Sequence, residues 1–527
     1  MSEVLAHQGI ARLHGERDTI KVILPAVALV VMSLLLQCNV GINLVDEGYL
    51  WYGAEQTLSG KAPLRDFQSY DPGRYYWCAF WMKIFGNGII SLRLSVAIFQ
   101  AIGLSLGLLA LRQYIRSWKV MVVAGFILLM WMIPRHKLFE SSLSMAGVFF
   151  ALRLIQHPSL RQHFISGVFI GLAAFVGRNH GLYSLAAFGM LALFIRFKIE
   201  KTDLLRSGFF MGCGVLVGYS PMLIMMVTVP GMFDSYLGLF RHIASRGATN
   251  LTLPVPWPWE YDYSGKSFAQ AARAFCIGSF FVILPLVYIL CIISAFVFRG
   301  ERLKKMSLLA ASSFVGVMYM HHAFSRAEIE HLAESIAPLL ITLLALPYAF
   351  GFDRKVIRCT VGLGLLLFMS FQAAGKQSPF YERMASGRQS YAKCDINGDN
   401  VWLPYGQIYQ IRTVREIDSQ LVSPDEGFLM IPWYPAMYPI LQRESPLWDI
   451  YFLFPEAEAR QEEMIEELQR KRVNWVLLHN MTMDGREDRR LSETHKILWA
   501  YFNEEYEPYK VNELQGSNYV LLHRKAE

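Results

Sequence analysis

Apolar residues along this chain gather into long runs, separated by short turns in which Lys and Arg cluster. A helix crossing a bilayer needs about 20 mostly apolar residues, because lipid offers backbone polar groups no partners. Runs that reach or approach this length lie near 20–40, 89–111, 120–134, 140–156, 164–177, 181–195, 207–229, 271–298, 306–324, 332–350 and 356–374. The pattern predicts a polytopic α-helical membrane protein with about eleven transmembrane helices. Arg12, Arg17 and Lys21 precede the first run as in a signal peptide. No small-residue cleavage site follows, so that run reads as an uncleaved anchor.

Beyond residue 374 the pattern changes. Gly427–Trp433, Val473–His479 and Tyr519–His523 are short, β-rich apolar runs that predict strands. Between the first two lies Glu456–Arg472, acidic at its start and basic at its end, as a helix macrodipole favours. The chain thus divides into a transmembrane domain over 1–374, with large external loops at 41–88 and 230–270, and a C-terminal external α/β domain over 375–527.

Charge fixes the expected orientation. Arg112, Arg116 and Lys119 share one turn, and Arg153 and Arg161 another. Further clusters are Arg196, Lys198, Lys201 and Arg206; Arg299, Arg302, Lys304 and Lys305; and Arg354, Lys355 and Arg358. They alternate with turns poorer in positive charge, which places them and the N-terminus in the cytoplasm and the tail outside. The net charge of +7 is thereby a topology signal and not a nucleic-acid surface. Of 527 residues 54% are hydrophobic and 18% charged, which excludes a disordered chain and a single-anchor protein. Six of the seven cysteines lie in or near spans and only Cys394 lies in the tail, so the tail has no internal disulfide. No zinc-binding spacing occurs.

Candidate chemistry concentrates in the first external loop. Asp46 and Glu47 emerge directly after the first span, at the membrane–water boundary. Tyr49, Leu50, Tyr52, Gly53 and Leu58 follow at roughly helical spacing, which predicts an interfacial helix with its aromatic groups at headgroup level. Arg65 and Arg74 then return positive charge to the same surface. A carboxylate at that depth is partly desolvated, which makes it a better proton acceptor. Arginines suit a phosphate. The plainer reading makes Asp46 the cap of a helix that begins at Glu47, with Glu47 in its acidic first turn.

The segment VDEGYLWYGAEQTLSGKAPLRDFQSYDPGRYYW resembles the first external loop of GT-C-fold glycosyltransferases. It is most similar to the bacterial branch related to protein O-mannosyltransferases and lipid A aminoarabinose transferases. The shared elements are an acidic residue straight after the first span, an interfacial helix, a P-x-R-D-F turn and a Pro-Gly-aromatic segment. The resemblance implies an inverting transfer of a sugar from a polyprenyl-phosphate donor to an acceptor hydroxyl, with Asp46 as general base and Glu47 next in line. It implies a multi-pass protein of the bacterial inner membrane, acting at its external face. The partners it implies are the polyprenyl-phosphate-linked sugar, membrane lipids and a glycan, lipid or protein acceptor. No cofactor is required by it. A divalent cation on Asp46 and Glu47 is the one candidate, and two adjacent carboxylates are weak grounds for a metal.

Further polar residues lie near the predicted external ends of spans, where ionisable groups are functional candidates. Gly177-Arg178-Asn179-His180-Gly181 interrupts two apolar runs, and Pro134-Arg135-His136-Lys137 precedes Glu140. His321-His322-Ala-Phe-Ser-Arg326-Ala-Glu328-Ile-Glu330-His331-Leu332 resembles an Arg-x-Asp-x-x-His-Leu element of bacterial relatives, with Glu328 for Asp. Arg178 and Arg326, like Arg65 and Arg74, are candidates for donor phosphate, against headgroup snorkelling. Tyr49, His180, Glu328 and His331 are candidates for substrate contact, against ordinary packing. Arg326, Glu328 and His331 are expected on one helix face. His321 and His322 diverge on a helix and do not form a metal pair. In the second large loop, Trp257 and Trp259 suit sugar stacking or interface anchoring. Arg241, His242 and Arg246 lie upstream as phosphate candidates. A transporter or flippase of a lipid-linked or anionic substrate is a second reading, and an oligosaccharide ligase or polymerase using a polyprenyl-diphosphate donor a third.

Overall fold

The computed structural model describes residues 2–246, 250–350, 356–514 and 518–526. Arg354 and Lys355 of the last basic turn lie outside the described residues, as do the side chains of Arg12, Arg17, His242, Arg246 and Arg358.

Every apolar run of the sequence falls on helix. The helices are Ser2–Gln37, Ile89–Leu111, Trp118–Met130, Leu138–Gln156, Leu160–Val176, Arg178–Lys198, Leu204–Thr228, Phe268–Val297, Ser307–Ser325, the pair Ile329–Ser335 and Ala337–Ala349, and Val356–Ala373. Among the described residues, six segments are long and apolar enough to cross a membrane. A seventh arises if Ile329–Ser335 and Ala337–Ala349, bent by 59°, form one span. Trp118–Met130 and Leu160–Val176 are shorter, at 13 and 17 residues, and Ser307–Ser325 is diluted by polar groups such as His321 and His322.

By its contacts the chain forms two compact units that are not sequential. One comprises Met1–Cys38, Arg93–Leu223 and Thr252–Glu382; the other comprises Asn39–Leu92, Ile224–Leu251 and Arg383–Glu527. The first large loop therefore groups with the tail.

In the helical unit, Leu160–Val176 and Leu204–Thr228 meet backbone to backbone. A Cβ on Gly167 would lie 2.1 Å from the Met211 carbonyl oxygen, and one on Gly218 would lie 2.1 Å from that of Val168. The spacings Gly167–Gly171 and Gly214–Gly218 put glycine on both facing surfaces, so that packing replaces the hydrophobic drive that lipid does not supply. Elsewhere the interior is aromatic, with Trp131 edge-on to Phe280 at 4.8 Å between ring centroids.

In the second unit the described residues of the tail contain six strands: β1 (Tyr391–Ile396), β2 (Asp399–Pro404), β3 (Phe428–Ile431), β4 (Trp475–His479), β5 (Tyr506–Tyr509) and β6 (Tyr519–Arg524). β1 and β2 form an antiparallel hairpin, and the other four a sheet of order β3-β4-β6-β5 in which only β3 and β4 are parallel. The predicted strands are β3, β4 and β6, and the predicted helix is Glu458–Arg470. It packs through Met464 and Leu468 onto Leu429, Ile431, Val476 and Leu478. The hairpin and β5 were not predicted, because Tyr-Ala-Lys-Cys-Asp-Ile and Tyr-Glu-Pro-Tyr are too polar to read as apolar runs; β5 sits at a sheet edge, where its proline is tolerated.

A series of long-range hydrogen bonds ties the first loop to the tail within this unit. Trp402 N donates to Asn39 O at 2.7 Å and Gly41 N to Trp402 O at 2.8 Å. Gln407 Nε2 donates to Ile42 O at 2.6 Å, and Ala436 N to Leu44 O at 3.1 Å. Trp448 Nε1 donates to Leu64 O at 3.2 Å, and Gln68 N to Trp448 O at 2.9 Å.

Candidate functional site

The helix that carries the adjacent carboxylates runs Asp46–Leu58. Its first amides are held from outside: Asn43 Oδ1 accepts from both Val45 N and Asp46 N at 2.9 Å. Glu47 Oε2 in turn accepts from Asn43 N at 3.2 Å, so one side chain closes the turn forward onto Val45 and Asp46 and the other closes it back onto Asn43. The reading of Asp46 as the cap of a helix starting at Glu47 is thus corrected. The helix starts at Asp46, and the short Asn43 amide reaches forward to do the capping. Glu47 is only 2% exposed and committed to this turn.

The Asp46 carboxylate has a different partner. Tyr451, in the tail, donates its hydroxyl to Asp46 Oδ1 at 2.5 Å. Burial, and then the Asp46 charge, push the Tyr451 phenol well above its ordinary pKa, so it stays a proton donor. The Tyr451 ring lies 5.2 Å from that of Tyr49, which meets Tyr70 edge-on at 4.9 Å. The Arg74 guanidinium sits 4.6 Å above Tyr70, and Arg74 itself is 3% exposed. Asp46 therefore opens onto an aromatic wall with a buried cation behind it.

The helix does not present its aromatic face to headgroups as the spacing suggested. Tyr49, Leu50, Trp51 and Tyr52 are all buried. Two glycines permit this. A Cβ on Gly48 would lie 2.4 Å from Ala436 N, and one on Gly53 would lie 2.3 Å from the Tyr75 ring. Protein occupies the space that lipid was expected to fill.

Arg65 pairs with its neighbour: its Nε and Nη2 contact the two Asp66 oxygens at 2.8 and 2.7 Å, and Nη1 donates to Pro230 O at 3.1 Å. The Arg65 hydrogen bonds hold the Asp66 carboxyl below its usual range. The P-x-R-D-F turn is closed internally, as Asp66 Oδ2 also accepts from Ala62 N at 2.7 Å.

In the helical unit the predicted polar residues form a linked set. Arg178 opens the helix Arg178–Lys198 and is half-buried. His180, two residues on, is buried, with Nδ1 3.1 Å from Tyr319 Oη and Nε2 3.9 Å from Glu140 Oε1. His322 Nε2 is 2.5 Å from Glu334 Oε2, and the His322 and His331 rings stack at 5.2 Å. His331 Nδ1 and Arg326 Nε converge on Glu328 Oε1 at 2.9 and 2.6 Å. Burial opposes the Glu328 charge, but these two hydrogen bonds outweigh it and hold the carboxyl below its usual value. Arg326 and Glu328 do not share a helix face with His331. Arg326 ends the helix Ser307–Ser325 and Glu328 precedes Ile329–Ser335, so the side chains meet across the break between two helices. His321 diverges from His322 as expected and pairs with the Tyr183 hydroxyl at 2.8 Å.

Trp257 and Trp259 stack in parallel, 5.4 Å between centroids and 5° between planes. Their prolines rest on Gly278, where a Cβ would lie 2.5 Å from Pro256 O, while Trp259 is 68% exposed. Among the described residues, no group of three or more His, Cys, Asp and Glu side chains is placed to hold a metal ion.

Tyr451, Tyr319 and Glu334 were not singled out from the sequence. Glu334 carried a signal, a carboxylate inside the apolar run 332–350. Tyr451 carried none, lying 405 positions from Asp46.

No protein-family model and no curated protein matches the chain. Among solved structures it is similar to ArnT from Cupriavidus metallidurans bound to undecaprenyl phosphate, with TM-score 0.53 and 13% identity, over 96% of this chain and 97% of that one. It also aligns with an apo Archaeoglobus fulgidus oligosaccharyltransferase at TM-score 0.47 and 14% identity, over 93% and 73% of the two chains. The apo state of the same ArnT aligns at TM-score 0.41 and 11% identity, over 98% of each chain. The chain therefore has the GT-C fold of that undecaprenyl-phosphate-bound ArnT structure.

Proposed function

We propose that the chain is an inverting glycosyltransferase of the bacterial inner membrane. It moves a sugar from a polyprenyl-phosphate donor to an acceptor hydroxyl at the external face, with the N-terminus cytoplasmic. The observation that carries this reading is the Asp46 carboxylate: it is relieved of capping by Asn43 and oriented by Tyr451 beside an aromatic wall. The fold it shares with a structure holding undecaprenyl phosphate supports the donor class.

In this mechanism Asp46 accepts the acceptor proton as the oxygen attacks the anomeric carbon from the face opposite the phosphate. The C–O bond to phosphate breaks and the polyprenyl phosphate departs with the electron pair, so no acid is needed. A positioned base is typically worth about 10²–10⁴-fold in rate. Arg74 of the loop–tail unit, and separately Arg178 and Arg326 of the helical unit, are each candidates for donor phosphate, where a guanidinium matches the oxygens and stabilises departing charge. Arg65, which pairs with Asp66 as Arg326 pairs with Glu328, is a candidate for the same role. Within the helical unit His180, Glu328 and His331 are candidates for substrate contact, and Trp257 and Trp259 suit a sugar face.

The test is incubation of purified protein with labelled polyprenyl-phosphate sugars and cell-envelope extracts, with products identified by mass spectrometry. Covalent transfer of one sugar supports the reading; transfer only from diphosphate donors would favour the ligase. A second reading, transport of a lipid-linked or anionic substrate, draws on the interruption between the helices Ser307–Ser325 and Ile329–Ser335, where Arg326, Glu328 and His331 meet. Counter-transport in liposomes without covalent product would favour it.

A further inference from the structure

Tyr451 is held in place on both sides. Before it, Ile450 N donates to Gln68 Oε1 at 3.0 Å and Trp448 is bonded to Leu64 and Gln68 of the first loop. The intervening Asp449 is buried against the Arg460 guanidinium. After it, Phe452 N donates to Pro432 O at 3.0 Å. The segment thus has little freedom, and it carries to a carboxylate of the first loop a phenol that remains protonated. Its ring is fixed by Tyr49, which stands on the same helix as Asp46 one turn along.

Resting on the reading of Asp46 as base, we propose that Tyr451 of the C-terminal domain is its positioning residue, donating to Oδ1 so that the carboxylate meets the acceptor hydroxyl in one orientation. The tail then has a part in the reaction. It completes the geometry of a base supplied by the first loop, beyond capping the loop or holding an acceptor. The side chain touches neither donor nor acceptor. Its contribution is to kcat, through the fraction of time the carboxylate spends in the productive rotamer.

The experiment compares Tyr451→Phe, Asp46→Asn and Tyr434→Phe in the full-length protein, using a labelled polyprenyl-phosphate sugar that the unaltered protein turns over. Tyr434 serves as a control because its hydroxyl bonds within the tail, to His479 and Tyr519. Y451F is expected to lower kcat about tenfold to hundredfold, the range for a hydrogen bond to a charged group, with donor KM within about twofold. Y434F is expected to keep both constants, and the melting temperature of Y451F should match that of Y434F. If D46N is inactive while Y451F keeps full kcat, the positioning role is overturned and the base assignment stands. If D46N stays active, the base assignment itself falls. A Y451F protein that loses kcat and KM together with its melting temperature marks a structural role and also overturns the proposal. Should Y451F not fold, Gln68→Ala withdraws the acceptor that holds Ile450; a kcat-selective loss there supports the proposal, and an unchanged kcat overturns it.

Discussion

Asn43 Oδ1 accepts the backbone amide of Asp46 at 2.9 Å, and this single contact separates two roles that the sequence leaves merged. The amide is held by Asn43 from ahead of the helix, and the Asp46 carboxylate accepts from Tyr451 instead. Asn43→Ala is expected to cost about 1 kcal/mol of stability, as loss of a helix cap usually does. Transfer should slow as the first turn frays, while Asn43→Asp retains most of both. Thermal melting in detergent, paired with the transfer assay, checks this.

Gly48 has no room for a methyl group. Its Cβ would fall 2.4 Å from Ala436 N and 2.7 Å from Ala436 Cα, and backbone cannot swing aside as a side chain can. Gly48→Ala should destabilise the loop–tail unit by about 1–3 kcal/mol, the usual range for overpacking, and lower activity with it. A double variant that also carries Ala436→Gly removes the Cβ–Cβ overlap and should recover part of the loss.

Glu55, on the same helix as Asp46, has its carboxyl pushed up to about 7, chiefly by burial and against a hydrogen bond from Trp51. The folded state therefore holds this proton more tightly than the unfolded chain. Between about 4.5 and 7 the unfolded chain binds fewer protons, so stability falls as pH rises through that window and levels off above it. The contribution is on the order of a few kcal/mol before solvent screening. Glu55→Gln should flatten that slope in melting temperatures measured from pH 4.5 to 8.

Glu328 gathers Arg326 and His331 on one oxygen. Glu328→Gln keeps the shape and removes the charge. If Arg326 binds donor phosphate, loss of its anchor should raise donor KM about tenfold with kcat nearly unchanged, equivalent to one hydrogen bond of about 1–1.5 kcal/mol. A fall in kcat alone would assign the cluster to a different step.

Much of this architecture is legible from the chain because lipid imposes a strict rule on apolar run length. All predicted runs are helical, and β3, β4 and β6 stand where β-rich apolar residues predicted them. What was not legible comes from packing at long sequence separation. The aromatic spacing of Tyr49, Leu50 and Tyr52 is that of an interfacial helix, and only Gly48 and Gly53, by admitting Ala436 and the Tyr75 ring, turn it into a buried one. Arg65 read as a phosphate ligand because its pairing with the adjacent Asp66 depends on how the turn closes. The Asp46–Glu47 pair was found at once, but which of the two is committed to capping depends on Asn43, and what orients the other depends on Tyr451.

The central claim is that Asp46 is the base for glycosyl transfer. The most direct measurement is the single-turnover rate of sugar transfer from a labelled polyprenyl-phosphate donor by purified Asp46→Asn, alongside Glu47→Gln. Asn keeps the shape of the side chain and its hydrogen bond from Tyr451, and removes the proton acceptor. The account predicts that D46N binds donor normally and transfers at least about 10²-fold more slowly, while E47Q retains more activity and loses stability. Transfer by folded D46N at the unaltered rate would contradict it.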